Sequence, residues 1–401
     1  MYKRIATFQW MQLLVLSGVH FLVDMFGNML PAILPAIRAE FGLSLLLGGL
    51  VLVVLSFAAN GVQMLTGHTR AEKNTPLLLH IGLVLGASIC AIGILPRSTG
   101  GFWAIASLAV VSGFGIAIMH PESLRAVHVL DRIPPAISTA VFMTGGFIGY
   151  ACGGAISTIL VSKFGLSGLY PLLLCPAVGI LMVVLLKVRL TIEPKESNAN
   201  QTDVTSSCPP FWLIMAMALP AAVSTTIVAT LLPTRLNELG FGLTFGGFAI
   251  TIYGIGGALG AFVWGPVAHK KGELRCSVLA VFLVVPFLVA YLLLIDHRSA
   301  LWLLSGAGFC SFAAYILTIA LARSAAGPNL GQRMGFIVGG TWALANVVFL
   351  ALVPVAEHFG TRIVLGLTPF GYLFSGALGL LIILKVRRQP RRELNRTPLH
   401  N

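Results

Sequence analysis

The chain has 401 residues, of which 10% are charged and 57% apolar, and its mean hydropathy is +0.92. Soluble domains carry about 25% charged residues, so this composition excludes a water-soluble globular protein and makes the bilayer the natural solvent for the apolar excess. The formal net charge of +13 raises nucleic-acid binding as an alternative, but the placement of the basic residues excludes it.

A membrane span needs about 20 mostly apolar residues. In chain order such stretches fall at 9–37, 44–66, 76–96, 102–122, 136–161 and 169–187, and then at 211–234, 243–267, 276–295, 300–322, 334–356 and 364–385. The first is too long for a signal-peptide core and lacks a small-residue cleavage site after it. The expected fold class is all-α membrane, with twelve transmembrane helices. Residues 1–188 form a six-helix bundle, 189–210 a flexible polar linker, 211–387 a second six-helix bundle, and 388–401 a basic tail without fixed structure.

Orientation follows from Lys and Arg. Twelve spans put both termini on one side, and twenty of the 26 Lys and Arg lie there. The other six, Arg38, Arg97, Lys163, Arg235, Arg298 and Arg362, fall one per loop on the opposite side. The termini and linker are therefore expected in the cytoplasm, in a multi-pass protein of the inner (plasma) membrane, and the positive charge is topological. The sequons at Asn200 and Asn395 lie on the wrong side for glycosylation. Cys90, Cys152, Cys175 and Cys310 sit inside apolar runs as small apolar fillers. With no Cys/His cluster of metal-binding spacing, no metal or other cofactor is expected.

The two halves repeat. Leu34-Pro35, Glu40, Gly42 and Gly48-Gly49 recur, each 198 residues later, as Leu232-Pro233, Glu238, Gly240 and Gly246-Gly247. Phe142-x-x-Gly145-Gly146 recurs as Phe336-x-x-Gly339-Gly340. Two pseudo-symmetric six-helix halves in parallel repeat resemble the major facilitator superfamily, and that resemblance implies a substrate path between halves that rock about it.

Three segments carry the resemblance further. The loop from Gly67 to Lys73 and its repeat from Gly265 to Gly272 sit where the superfamily has its Gly-x-x-x-Asp-Arg-x-Gly-Arg-Arg gating signature, although both lack the acidic residue. Span 5 carries Gly145-Gly146-x-x-Gly149-Tyr150-x-x-Gly153-Gly154, which is similar to the antiporter signature with Tyr150 in place of its proline. His120-Pro-Glu-Ser-x-Arg125, with His20-x-x-x-Asp24, resembles the fosmidomycin-resistance efflux branch. That resemblance implies drug export in exchange for protons. The arginine early in span 4 of the wider drug-exporter family is replaced here by Ala109.

Ionisable groups inside a membrane are costly and usually serve function. Asp24 lies well inside span 1, and His20 shares its helical face one turn earlier. This pair is expected to load and release a proton. Glu122, Arg125 and His120 are expected at the cytoplasmic end of span 4, as a gate ion pair or an entry site for an anionic group. Arg323, the repeat mate of Arg125, has Ala320 where Glu122 would be and is freer to meet an anion. Asn28, Asn60, Gln63, Tyr253, Tyr315, Trp342 and Asn346 are further polar groups that could line a cavity. There is no phosphate-binding Gly-x-x-x-x-Gly-Lys-Ser/Thr loop and no catalytic constellation, so an enzyme is not expected. The sequence points to a monomeric secondary transporter in the lipid bilayer with a small-molecule substrate and protons as partners, and no nucleic acid. A proton-coupled exporter leads. A metabolite importer or facilitator and a non-transporting membrane sensor are the alternatives.

Overall fold

The computed structural model describes residues 2–66, 74–97, 100–191, 209–328 and 330–394, with the side chains at 2–6, 62–66, 135, 136, 330, 331 and 386–394 outside that description. The gating loop from Gly67 to Lys73, the Gln63 side chain and most of the 189–210 segment therefore lie outside the described residues. The structure is all-helical. In the first part of the chain run α1 (Tyr2–Gly27), α2 (Met29–Phe41), α3 (Leu45–Thr66), α4 (Leu77–Ala87), α5 (Gly101–Val127), α6 (Pro135–Phe164) and α7 (Cys175–Leu185). After the polar segment follow α8 (Phe211–Glu238), α9 (Leu243–Lys271), α10 (Glu273–Leu293), α11 (Leu301–Ser324), α12 (Leu330–Met334), α13 (Thr341–Phe359) and α14 (Thr361–Leu394).

Eleven helical stretches among the described residues are long and apolar enough to cross a membrane, and the described apolar run of α3, Leu45–Gly61, is shorter. Their outer surfaces carry large bare apolar side chains: Trp103 is 72%, Trp302 78% and Leu293 79% exposed. Such a surface is stable only against lipid.

Several elements depart from the sequence expectation. The first span is two helices, broken at Asn28. Pro31 has no N–H to return to the Gly27 carbonyl, and the winding tightens just before it, where the Asn28 N–H is shared between the Asp24 and Met25 carbonyls at 3.1 and 3.2 Å. Spans 3 and 6 contain tighter 3-10 windings at Ser88–Ile94 and Leu166–Leu174, the second around Pro171. Span 4 runs straight through Pro121 as one helix. α14 continues to Leu394, across Pro390 and into the tail expected to lack structure. The start of the expected flexible linker is anchored: Leu190 N–H donates to the Asn74 carbonyl at 3.0 Å and Thr191 N–H to the Arg125 carbonyl at 3.2 Å.

Buried apolar side chains cluster within residues 13–190 and, separately, within 211–382. One further cluster joins Leu45 and Val53 of α3 to Ile227 and Leu231 of α8 and Phe349 and Val353 of α13. Glycines set the helix spacing, as is usual where lipid supplies no hydrophobic drive and close backbone contact holds helices together. A side chain at Gly260 would collide with the Phe309 carbonyl of α11, whereas one at Gly265 on the same helix meets nothing within 4 Å. Gly260→Val should therefore cost about 1–3 kcal/mol through overpacking and lower the thermal midpoint seen by fluorescence-detected size exclusion, while Gly265→Val leaves it unchanged.

Candidate functional site

Within the membrane-embedded helices of the first half, three ionisable side chains converge. His20 and Asp24 stand one turn apart on α1, with His20 Nε2 3.3 Å from Asp24 Oδ2. His120, from α5, brings its Nε2 to 3.0 Å from Asp24 Oδ1. The sequence grouped His120 with Glu122 and Arg125; its ring instead turns to Asp24. His20 is buried, while the Asp24 and His120 side chains each keep 22% exposure and so remain reachable.

Both imidazoles are oriented from behind. His20 Nδ1 lies 3.0 Å from the Phe142 carbonyl, and His120 Nδ1 2.8 Å from the Ile116 carbonyl. A carbonyl oxygen only accepts, so each Nδ1 carries the hydrogen and donates. In a neutral ring the Nε2 facing Asp24 is then a bare acceptor. Each contact with the carboxylate needs a proton of its own, either on the histidine or on Asp24. The cluster thus holds zero, one or two protons, and its net charge steps from −1 through 0 to +1. The three facing atoms lie within 4.8 Å of one another, as compact as a metal site. Here both Nε2 atoms face the carboxylate directly, at hydrogen-bonding distance, which is an arrangement for sharing protons.

The span 5 glycines build this site. Gly145, Gly149 and Gly153 of α6 face the backbone of α1, where a methyl group on Gly153 would come within 2.7 Å of the Met25 carbonyl. This close approach carries Phe142 to His20, and their rings stack with centroids 4.2 Å apart. Gly146 lies over the ion cluster itself; a methyl group there would sit 2.5 Å from Asp24 Oδ2 and 2.6 Å from His20 Nε2.

The other expected site residues have different surroundings. Glu122 and Arg125 form a buried ion pair, with Nη1 to Oε1 at 2.9 Å. Arg125 also donates through Nη2 and Nε to the Thr191 carbonyl at 2.6 and 3.2 Å. Its guanidinium fork ties α5 to the start of the polar segment. Asn28 is a helix pin, its amide donating to the Tyr150 carbonyl at 2.6 Å. Asn60 and Asn346 converge on the Ser56 hydroxyl, at 3.1 and 2.8 Å, from opposite halves. Trp342 meets Tyr315 edge to face at 5.0 Å. Arg323 is exposed near the end of α11.

A second polar cluster, in the second half, was not assembled from the sequence. Tyr253 donates to Ser311 Oγ at 3.1 Å, Ser311 lies 2.9 Å from the Tyr372 hydroxyl, and Tyr372 lies 2.8 Å from Thr225 Oγ1. Thr225 donates to the Ala221 carbonyl at 2.9 Å. The order Tyr253 to Ser311 to Tyr372 to Thr225 to Ala221 satisfies every hydroxyl and knits α9, α11, α14 and α8 together. Only Tyr253 carried a signal in the sequence, as a polar group inside a span; the others are single hydroxyls with no shared spacing.

Eleven helical stretches of membrane-crossing length and apolar character among the described residues define a polytopic membrane protein. The chain matches the family model for the Major Facilitator Superfamily over residues 16–350. It belongs to that superfamily, and it is a transporter, not an enzyme. It is 20% identical over 383 residues to the fosmidomycin resistance protein of Escherichia coli K12, covering 92% of this chain and 91% of that one. It is 22% identical over 406 residues to the MFS-type transporter YfnC of Bacillus subtilis 168, covering 95% of this chain and 94% of that one. Among solved structures it superimposes, with a TM-score of 0.68 at 14% identity, on a bacterial homolog of the human lysosomal transporter Spinster in an inward-facing and occupied conformation, over 93% of this chain and 97% of that one.

The buried pair gives a test of packing chemistry. Removing one partner of a buried ion pair costs about 3–5 kcal/mol because the other charge is stranded. Arg125→Ala should therefore lower the thermal midpoint sharply, and adding Glu122→Ala should recover part of the loss, as a double-mutant cycle of midpoints will read.

Proposed function

We propose that this chain is a proton-coupled secondary transporter that exports a small molecule by alternating access. It is read as twelve spans in two six-helix halves, with both termini cytoplasmic and the protein in the inner membrane. The observation that carries the reading is the His20–Asp24–His120 cluster, which can hold a variable number of protons inside the membrane and is partly accessible. Its repeat mates, 198 residues on, are Ala218, Ala222 and Thr318, so the ionisable site belongs to the first half alone. A carrier coupled to protons needs one such site whose exposure alternates.

The contacts between the halves support a particular state. Leu45 N–H, at the start of α3, donates to Glu357 Oε1 at the end of α13 at 3.0 Å. Ala155 N–H of α6 donates to Thr251 Oγ1 of α9 at 3.0 Å. The Leu45–Glu357 contact lies at the end of the helices opposite the chain termini, which on the charge bias is the outer face. This contact supports a carrier closed at its outer face. Export is favoured by the span 5 glycine pattern and by a relative whose name records fosmidomycin resistance.

Asp24→Asn keeps the shape of the side chain and removes its charge. In proteoliposomes under an imposed pH gradient, with fosmidomycin as the first probe and the same assay run on a panel of drug-like anions and cations, the wild type should couple probe movement to proton flux. Asp24→Asn should lose that coupling by at least tenfold while eluting as a folded protein. Wild-type proton flux in the variant overturns the assignment.

A further inference from the structure

α3 and α13 belong to different halves, yet they run antiparallel and in step from the outer face inward. At the rim the Leu45 N–H meets Glu357. Four residues further along α3, a methyl group on Gly49 would come within 3.1 Å of Val353, four residues back along α13. The next four bring Val53 and Phe349, which share one buried apolar cluster. Three more bring Ser56, whose hydroxyl accepts the Asn346 amide at 2.8 Å. Steps of three and four keep to one face of a helix, so this is a single continuous seam between the halves.

Its two polar ends are not alike. At the rim, Glu357 serves one of the N–H groups that begin α3 and have no partner within the helix. Ser44 Oγ serves another, the Leu47 N–H at 3.1 Å. Water can take the place of Glu357 there. Ser56 lies eleven residues beyond Leu45, about 16 Å inward at 1.5 Å per residue, close to the middle of a hydrocarbon core about 30 Å thick. The Ser56 hydroxyl oxygen has two lone pairs, and each half fills one: Asn60 donates from α3 at 3.1 Å and Asn346 from α13 at 2.8 Å. Each amide is also aimed by a carbonyl four residues earlier on its own helix, Asn60 by Ser56 at 3.0 Å and Asn346 by Trp342 at 2.8 Å. Asn346 is 5% exposed. Its bond to Ser56 is therefore one that water does not readily replace, and an unmade hydrogen bond at that depth is costly.

We propose that the α3–α13 seam is the outer gate of this carrier, and that the Ser56–Asn346 bond, rather than the Glu357 cap, is its controlling latch. This rests on the reading above that the outer face is closed. The gate parts from the rim inward. Glu357 gives up Leu45 to water, the apolar strip around Val53 and Phe349 separates, and the Asn346 amide comes free last. Asn60 keeps its bond to Ser56 throughout, because both lie on α3. Gly49 lets α13 approach α3 closely enough for the mid-membrane bond to close.

The test needs no substrate. Trp103 and Trp302 stand bare near the outer ends of α5 and α11, one in each half. Spin labels there report the separation of the halves by pulsed electron resonance, in protein whose native cysteines have been replaced. The wild type should show mainly the separation of this structure, with a minor longer one. Asn346→Leu keeps the bulk and removes the amide; it should enlarge the longer population about fivefold, the weight of one hydrogen bond. Ser56→Ala should do the same and serves if Asn346→Leu folds poorly. The two together should do no more than either alone, since they break the same bond. Glu357→Ala should give a smaller rise. An unchanged distribution in both Asn346→Leu and Ser56→Ala, or a larger rise in Glu357→Ala than in either, overturns the latch. A wild type already dominated by the longer separation overturns instead the closed outer face on which the latch rests.

Discussion

A carboxylate in the hydrocarbon region is the constraint around which this molecule is arranged. An unpaired charge there is expensive, and Asp24 answers that cost with two histidines, from α1 and α5. Holding the histidines in turn requires a carbonyl behind each ring, and for His20 the carbonyl belongs to a third helix. The site is therefore only as good as the packing of α6 on α1. That packing depends on a run of glycines whose backbones approach as no larger residue would allow. Charge, orientation and helix spacing form one chain of dependence.

The second half solves a different problem. Where the first half has ionisable groups it has Ala218, Ala222 and Thr318, and its polar interior is a set of neutral hydroxyls that satisfy one another. Such a network is strong inside a low-dielectric medium when complete and costly when a member is missing. It is suited to holding four helices in register. The two halves of the repeat differ here: the ionisable cluster lies in the first and a set of neutral hydroxyls in the second.

Much of this was legible in the chain because lipid imposes long periodless apolar runs that sequence displays openly. The spans, the repeat and the His20–Asp24 pair come straight from such runs. The helix break at Asn28 was not readable from Pro31 alone, since Pro121, Pro220 and Pro233 sit inside helices that run on. The partner of His120 was not readable. Its position near Glu122 and Arg125 suggested a shared role, and only the crossing of α5 over α1 turns its ring the other way. The hydroxyl cluster was invisible for a related reason. Tyr253, Ser311, Tyr372 and Thr225 come from four helices, and hydropathy says nothing about which face of an apolar helix looks inward. The continuation of α14 to Leu394 was not readable, because a basic segment with Pro390 inside it has the composition of a chain end without helix.

The contact of Gly154 with Gly247 has a consequence for speed. Most helix interfaces interlock like teeth, and sliding one past the other means lifting side chains out of their sockets. At this seam the teeth are few and short, with Thr158 beside Gly247 and Ile250 beside Gly154. Fewer side chains need to lift from their sockets if the two helices shift against each other. On this view α6 is a bearing as well as a wall, and the glycines that let it press close are also what let it glide.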